Sequence, residues 1–324
     1  MYDVITIGSA TVDVFVKTEA DLIEIKKGCE QENLIAYPSG SKILISDLKF
    51  EIGGGGTNTA VSFSRLGLNT AFLGVVGCDT NSDNIINLLK KEKVEFIGKR
   101  IKGQTGYSVI LDSQDDDRTI LTYKGVNSRL SYGIIDKKKI NAKWLYISSM
   151  VGDSFAATEK LSAYAKKKNI KVAFNPSSYL AKQGILKLKK IISNTDFLVL
   201  NREESELILG QNDIKTLLRA FNKLGPKITI ITAGKNGIYA NDSRHLYHLG
   251  ARKVKVKETT GAGDSFASGF VAGLILKGDV PFSMRLGMAN ANSVICHIGA
   301  KNKLLTFDEA KKEIKKVPRI HILK

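Results

Sequence analysis

The segment Glu258-Thr259-Thr260-Gly261-Ala262-Gly263-Asp264-Ser265-Phe266 carries the most chemistry in the chain, and it runs on into the small residues Ala267, Gly269, Ala272 and Gly273. A glycine turn feeding a helix leaves N–H groups unpaired at the helix start, and with the macrodipole they make a seat for phosphate oxygens. Asp264 stands at that mouth. In the first helical turn its carboxylate is expected as the anion. It can then take a proton from a substrate hydroxyl while the amides of Gly261, Ala262, Gly263 and Asp264 hold a transferring phosphoryl group. The same spacing also suits an aspartate that only caps the helix.

A second glycine-rich segment, Gly53-Gly54-Gly55-Gly56-Thr57-Asn58, has no lysine to make it a P-loop. It also places Asn58 where the Rossmann fingerprint needs its last glycine. Gly54 and Gly55 permit a ligand to approach the backbone closely, and Asn58 offers both a donor and an acceptor to a polyol. A flexible turn before a helix would tolerate four glycines without needing them. Asp13 lies among Val12, Val14, Phe15 and Val16, so it is either paired by hydrogen bonds or turned toward a pocket. Asn201-Arg202-Glu203-Glu204 opens a helix at the end of a strand-like run, where open α/β sheets bind ligands; Asn201 as a plain helix cap is a sufficient local account.

These groups need a frame to hold them. Residues 3–8 form an apolar run ending in Gly8, and residues 12–16 a second strand. After the four glycines, residues 57–66 show helical spacing and stop at Gly67. Strand-like and helix-like segments then alternate: 70–76 with 82–93, 143–148 with 156–168, 170–174 with 185–192, 197–200 with 202–209, and finally 228–232. Such βα repetition implies an α/β fold with a mainly parallel sheet and helices on both faces. Residues 105–123 instead alternate around Asp115-Asp116-Asp117 as an antiparallel hairpin. With the irregular stretch 17–50 it is expected to form a small β-sheet lid.

Composition excludes several classes. At 324 residues, 43% hydrophobic and 25% charged, the chain is neither disordered nor collagen-like. No apolar run is long enough to span a bilayer, and Asp3 falls where a secretory signal needs basic residues. Cys29, Cys78 and Cys296 are odd in number and lack paired spacing, which excludes a disulfide framework and a cysteine zinc site and makes the cytoplasm the expected compartment. The formal charge of +17 invites a nucleic-acid reading. The lysine runs 137–139, 166–168, 189–190, 311–312 and 315–316 lie in helix-like stretches without aromatic interleaving, so solvated helix faces are expected, with neither nucleic acid nor membrane as partner. His245 and His248 have metal-ligand spacing but no third ligand nearby, and read as two surface histidines. Cys296 and His297, in an apolar-rich helix over 288–298, and Trp144 in its strand read as packed side chains.

Taken in order, these segments resemble the ribokinase-like sugar and nucleoside kinases, the phosphofructokinase-B family. The resemblance spans Gly8 with Asp13, Gly53 to Asn58, Gly77-Cys78-Asp79, Asn201 with Glu204, Thr232-Ala233-Gly234 and Thr259 to Asp264. It implies a three-layer α/β/α body over residues 1–13, 53–96 and 127–324, with a β lid over 14–52 and 97–126. It implies an ATP-dependent kinase that phosphorylates a primary hydroxyl of a sugar, or alternatively the 5′-hydroxyl of a ribonucleoside. A non-catalytic basic binding module is a distant alternative, and the retained Asp264, Gly261, Gly263, Asn201 and Glu204 speak against it. The resemblance makes Asp264 the base and Gly261, Ala262 and Gly263 the anion hole. Asp13, Gly54, Gly55 and Asn58 would hold the substrate. Asn201, Thr232, Gly234 and Asn290 would contact nucleotide, and Glu204 would organise Mg²⁺ through water. Glu258 replaces the family's aspartate at a K⁺ site, Gly55 replaces the lysine of ribokinases, and Ser148-Ser149 stand where those carry a glutamate. A homodimer through the lid is a further expectation of the resemblance.

Overall fold

The computed structural model describes residues 1–18, 21–27, 30–112 and 118–323; Cys29 and the Asp115-Asp116-Asp117 turn lie outside the described residues. In chain order the strands are β1 (Tyr2–Ile7), β2 (Thr11–Thr18), β3 (Asp21–Lys27), β4 (Glu30–Ala36), β5 (Ile45–Gly53), β6 (Thr70–Leu73), β7 (Val75–Val76), β8 (Glu95–Phe96) and β9 (Lys99–Arg100). They continue as β10 (Gly106–Asp112), β11 (Arg118–Tyr123), β12 (Ala142–Ser148), β13 (Lys171–Asn175), β14 (Phe197–Asn201), β15 (Ile228–Thr232), β16 (Ile238–Asn241), β17 (Leu246–Leu249) and β18 (Ile320–Leu323). The helices are α1 (Gly55–Arg65), α2 (Thr80–Lys91), α3 (Asp153–Lys167), α4 (Ser178–Ala181), α5 (Gly184–Ser193), α6 (Arg202–Leu209), α7 (Ile214–Leu224), α8 (Ala262–Lys277), α9 (Val280–Ile295) and α10 (Phe307–Glu313).

The expected parallel sheet is present, with order β18-β17-β16-β15-β14-β13-β12-β1-β6-β8. Strands from β8 to β15 pair in parallel, and β16, β17 and β18 add an antiparallel edge. Alternation along each strand divides the core into two layers. Ile5, Ile7, Leu145, Ile147, Leu198 and Leu200 meet Phe155, Leu161, Leu188, Ile191 and Phe221 of α3, α5 and α7 on one face. Val4, Tyr146, Phe197, Val199 and Ile230 meet Phe63, Phe266 and Phe270 of α1 and α8 on the other. Phe197 and Phe270 stack with centroids 4.7 Å apart. The small residues of α8 have a packing reason: a Cβ on Gly269 would sit 2.9 Å from Gly287 Cα, and one on Gly273 would sit 2.6 Å from Ser283 Cα, so only glycine lets α9 approach. Helix α9 starts well before the expected residue 288 and ends at Ile295, leaving Cys296 as its C-terminal cap and His297 beyond it. Trp144 is buried as expected.

The second sheet has order β11-β10-β2-β5, with β10 and β2 parallel and its other neighbours antiparallel. Its alternation sets the function of each side chain. Val12, Val14 and Val16 bury against Ile85, Leu89, Val294 and Leu304, so Asp13 is turned to the opposite face. The extra length between β2 and β5 is a separate two-stranded ladder of β3 and β4.

Candidate active site

The carboxyl ends of the strands converge where β1 passes into β2, and the first glycine motif is built around that crossing. The carbonyl of Ser9 accepts N–H groups from Gly56 (3.1 Å) and Thr57 (3.4 Å), which anchors the start of α1 beneath the chain. Gly54 has φ +95°, and a Cβ there would meet Ser9 O at 2.5 Å. A Cβ on Gly53 would lie 1.7 Å from Asp13 Oδ2. The glycines therefore leave room for backbone and for the Asp13 carboxylate, and Gly55 lines the cavity described below. Asp13 is 8% exposed and accepts a hydrogen bond from Thr11 Oγ1 at 2.9 Å.

Helix α8 brings Asp264 against Asn58. The N-cap of α8 is Gly261, in the left-handed conformation and without side-chain capping, so the capping role open to Asp264 is not the one it takes. Its Oδ2 instead accepts a hydrogen bond from Asn58 Nδ2 at 2.8 Å. The Ala262 N–H is engaged by Thr259 O at 3.1 Å, whereas the Gly263 and Asp264 amides find no acceptor among the described residues. Those two amides fit an anionic group at the helix start. The helix terminus was expected to favour ionised Asp264, but burial outweighs it and pushes this carboxyl above its ordinary value; Asn58 and Lys301 pull it partly back.

Lys301 is the residue that sequence reasoning missed. It is 7% exposed, and its Nζ donates to Asn58 Oδ1 and, at 2.6 Å, to Ile52 O of β5. Asn58 is thus held at both ends, with one amide hydrogen and one lone pair still free for a ligand. Burial pulls the Lys301 ammonium down to about 8, against the raising fields of Asp13, Asp264 and Glu51. The only local signal was a lysine after Gly299-Ala300 in a loop following an apolar helix.

Asn201 and Glu204 close a reciprocal capping box on α6: Glu204 N donates to Asn201 Oδ1 at 2.7 Å, and Asn201 N to Glu204 Oε2 at 2.9 Å. The capping account of Asn201 is therefore correct, and both residues also line the cavity. Burial raises the Glu204 carboxyl to about 7. A buried carboxylate with an oxygen left over beside a phosphate seat fits a hydrated divalent cation. Among the described residues no group of three or more acidic, histidine or cysteine side chains could cage a metal unaided, so such an ion would depend on phosphate oxygens and water.

A cavity of about 370 Å³ joins these parts, with Asp264, Gly261, Gly263, Gly55, Asn201, Glu204 and Thr232 in its lining. Lys124, Ser148, Ser149, Ser177 and Tyr179 complete its other wall. Gly234 is exposed in the turn after β15, with φ +53°. Glu258 accepts a hydrogen bond from Gly299 N at 2.7 Å and so fastens the loop that carries Lys301.

Asn290 departs from expectation. It is fully buried; Nδ2 donates to Ser62 Oγ (3.0 Å) and Ser265 O (2.9 Å), and Oδ1 accepts from Leu305 N (3.1 Å). These bonds tie α1, α8, α9 and the following loop together and keep its amide away from the cavity. His248 stacks on Tyr239 with centroids 4.4 Å apart, and His245 is half exposed.

Comparison with known proteins bears on the frame that carries this geometry. The profile of the pfkB family carbohydrate kinases matches residues 7–306. An uncharacterized sugar kinase of Archaeoglobus fulgidus is 29% identical over 251 residues, covering 75% of this chain and 98% of the relative. The ribokinase of Lactococcus lactis is 28% identical over 285 residues, covering 86% and 91%. The solved structure of a Methanocaldococcus jannaschii nucleoside kinase of the ribokinase family superposes with a TM-score of 0.79 at 23% identity, over 97% of this chain and 98% of that one. The match over residues 7–306, on a frame shared with solved ribokinase-family structures, places the chain in the pfkB family of carbohydrate kinases, phosphotransferases that use ATP and act on an alcohol group.

Proposed function

We propose that the chain transfers the γ-phosphoryl group of MgATP to a primary hydroxyl of a sugar, with Asp264 as the general base. The observation that carries this is the hydrogen bond that fixes the Asp264 carboxylate to Asn58 beside the unpaired Gly263 and Asp264 amides. Its raised proton affinity suits a group that must accept a proton and later release it. The two amides receive charge as it develops on the transferring group, a role that needs no reorganisation at the moment of reaction. Asp13, Asn58, Gly54 and Gly55 bound the acceptor, and Asn201, Thr232 and Gly234 the nucleotide. Glu204 would hold Mg²⁺ through water, and that ion would supply neutralisation of the phosphate charge.

The four-stranded sheet serves as a lid over the acceptor, with 14–52 and 97–126 as its extent and residues 1–13, 53–96 and 127–324 as the body. Its edges expose Phe50 and Leu121, 61% and 57% accessible, which suits pairing with a second copy in a homodimer. No helix of the described residues is long and apolar enough to cross a membrane.

The test is ADP release from MgATP, with and without KCl, across pentoses, hexoses, their monophosphates and nucleosides. Asp264→Asn should lower turnover by several orders of magnitude and leave nucleotide affinity nearly intact. Full turnover by that variant refutes the assignment of the base. Turnover of nucleosides alone replaces the sugar with a ribonucleoside.

A further inference from the structure

Lys124 follows directly on β11, so the small sheet delivers it to the cavity that Asp264 opens on. Its ammonium rests 4.8 Å from the centre of the Tyr179 ring, and among the described residues no carboxylate forms an ion pair with it. Burial lowers its proton affinity, and the Asp13 carboxylate partly offsets this; Lys124 shares the cavity lining with Gly55 and Asp264. A half-buried cation without an ion pair is costly to keep.

The wall around it is rich in donors. Ser148 is 4% exposed, and its Oγ is buried with no hydrogen-bond partner among the described residues. Ser149 and Ser177 share a single hydrogen bond of 2.7 Å between their hydroxyls, leaving lone pairs and a proton to reorient. Asn127 and Asn175 are already committed, to Ala10 and Val199. A neutral polyol asks for donors and acceptors in balance. Asp264 and Glu204 are the acidic residues of the same cavity, and neither forms an ion pair with Lys124; a full positive charge left unpaired beside an unused hydroxyl asks for an anion.

We propose that the acceptor is an anionic sugar, whose phosphate or carboxylate is received by Lys124 and the Ser148 hydroxyl while a hydroxyl elsewhere on the same molecule meets Asp264. This rests on the sugar-kinase reading and narrows it. The net charge of +17 would then draw the acceptor toward the site over long range.

Two measurements decide it. Calorimetry without nucleotide compares a hexose, its monophosphate and the corresponding sugar acid on the wild-type protein and on Lys124→Gln. Initial-rate ADP release with the same three acceptors follows. At least one anionic acceptor should exceed the neutral sugar about 100-fold in kcat/KM, and Lys124→Gln should erase most of that preference, chiefly through KM. Preference for the monophosphate identifies a phosphate subsite, and preference for the acid a carboxylate subsite. The inference is overturned if neutral sugars or nucleosides are preferred. It is also overturned if Lys124→Gln depresses all acceptors alike with a raised KM for ATP, which would assign Lys124 to the nucleotide phosphates. Should turnover be absent with every acceptor, the kinase reading fails by itself. The calorimetric comparison then still counts: anion binding lost in Lys124→Gln upholds the subsite, and no binding overturns it.

Discussion

Replacing Lys301 by methionine keeps the length of the side chain and removes its charge and its two hydrogen bonds. The ammonium and the Asp264 carboxylate are bridged by the Asn58 amide, whose Nδ2 lies 2.8 Å from Asp264 Oδ2. That chain of contacts separates the charges by about 7 Å, and at an effective dielectric near 20 their attraction is worth about 2 kcal/mol. Losing it disfavours ionised Asp264 by roughly 30-fold in the protonation equilibrium. A base works only when ionised, so the acid limb of the kcat/KM profile should move to higher pH in Lys301→Met. Toward the acid end the variant should fall behind the wild type by up to about 30-fold. The gap should narrow as pH rises, first because Asp264 ionises in both proteins and then because Lys301, with its proton affinity near 8, loses its own charge in the wild type. What remains at alkaline pH measures the lost clamp on Asn58. Lys301→Arg, which retains the charge, should keep the limb near its original place. The assay is ADP release from pH 5.5 to 9.5, with melting temperatures to exclude unfolding. A uniform loss at every pH would refute the field argument and reduce Lys301 to a packing role.

Two other changes separate positions that sequence patterns treat alike. Gly53→Ala forces a Cβ into the space of Asp13 Oδ2, 1.7 Å away, so the carboxylate must move. The acceptor KM should rise at least about 10-fold while the ATP KM changes little, and an unchanged acceptor KM would remove Asp13 from the site. Asn290→Leu strands Leu305 N inside the core and removes the amide donor to Ser62 Oγ, and should cost about 2–4 kcal/mol of stability in denaturant titration. Its KM for ATP should stay at the wild-type value; a several-fold rise with stability intact would restore the nucleotide contact.

The glycine motifs were legible because the constraint that selects glycine is local. At Gly53, Gly54 and Gly261 the backbone or a neighbouring carboxylate occupies the place of a Cβ, and such exclusion writes itself into consecutive letters. The apolar run around Asp13 leaves it either hydrogen-bonded or turned toward a pocket, and its direction is set by the sheet, which buries Val12, Val14 and Val16 on one face. Lys301 and Lys124 were not legible. Lys301 finds its acceptor on Asn58, 243 positions away, and a lysine in a chain so rich in lysine carries no local mark of being buried. Asn290 misled for the converse reason: an amide in an apolar helix satisfies buried backbone groups as well as it binds a ligand, and only the saturation of all its polar atoms distinguishes the two.

The two lysines show how differently single cations act within one strongly basic chain. Most of the lysine excess lies on solvated surfaces, where it contributes a diffuse field. Lys301 and Lys124 both feel the Asp13 carboxylate but differ in what completes them. Lys301 has carbonyl oxygens at Asn58 and Ile52, so its charge is spent on holding the base and the edge of the small sheet in one geometry. Lys124 rests only on an aromatic ring within a cavity open to solvent, and its charge is available. Salt screens the second and barely reaches the first. A cation already satisfied by the protein fixes structure, whereas one left unsatisfied in a cavity records the charge of what enters it. By that criterion the carboxylate proposed as the base is positioned from within the fold, and the proposed anionic acceptor is selected by the lysine at the end of the small sheet.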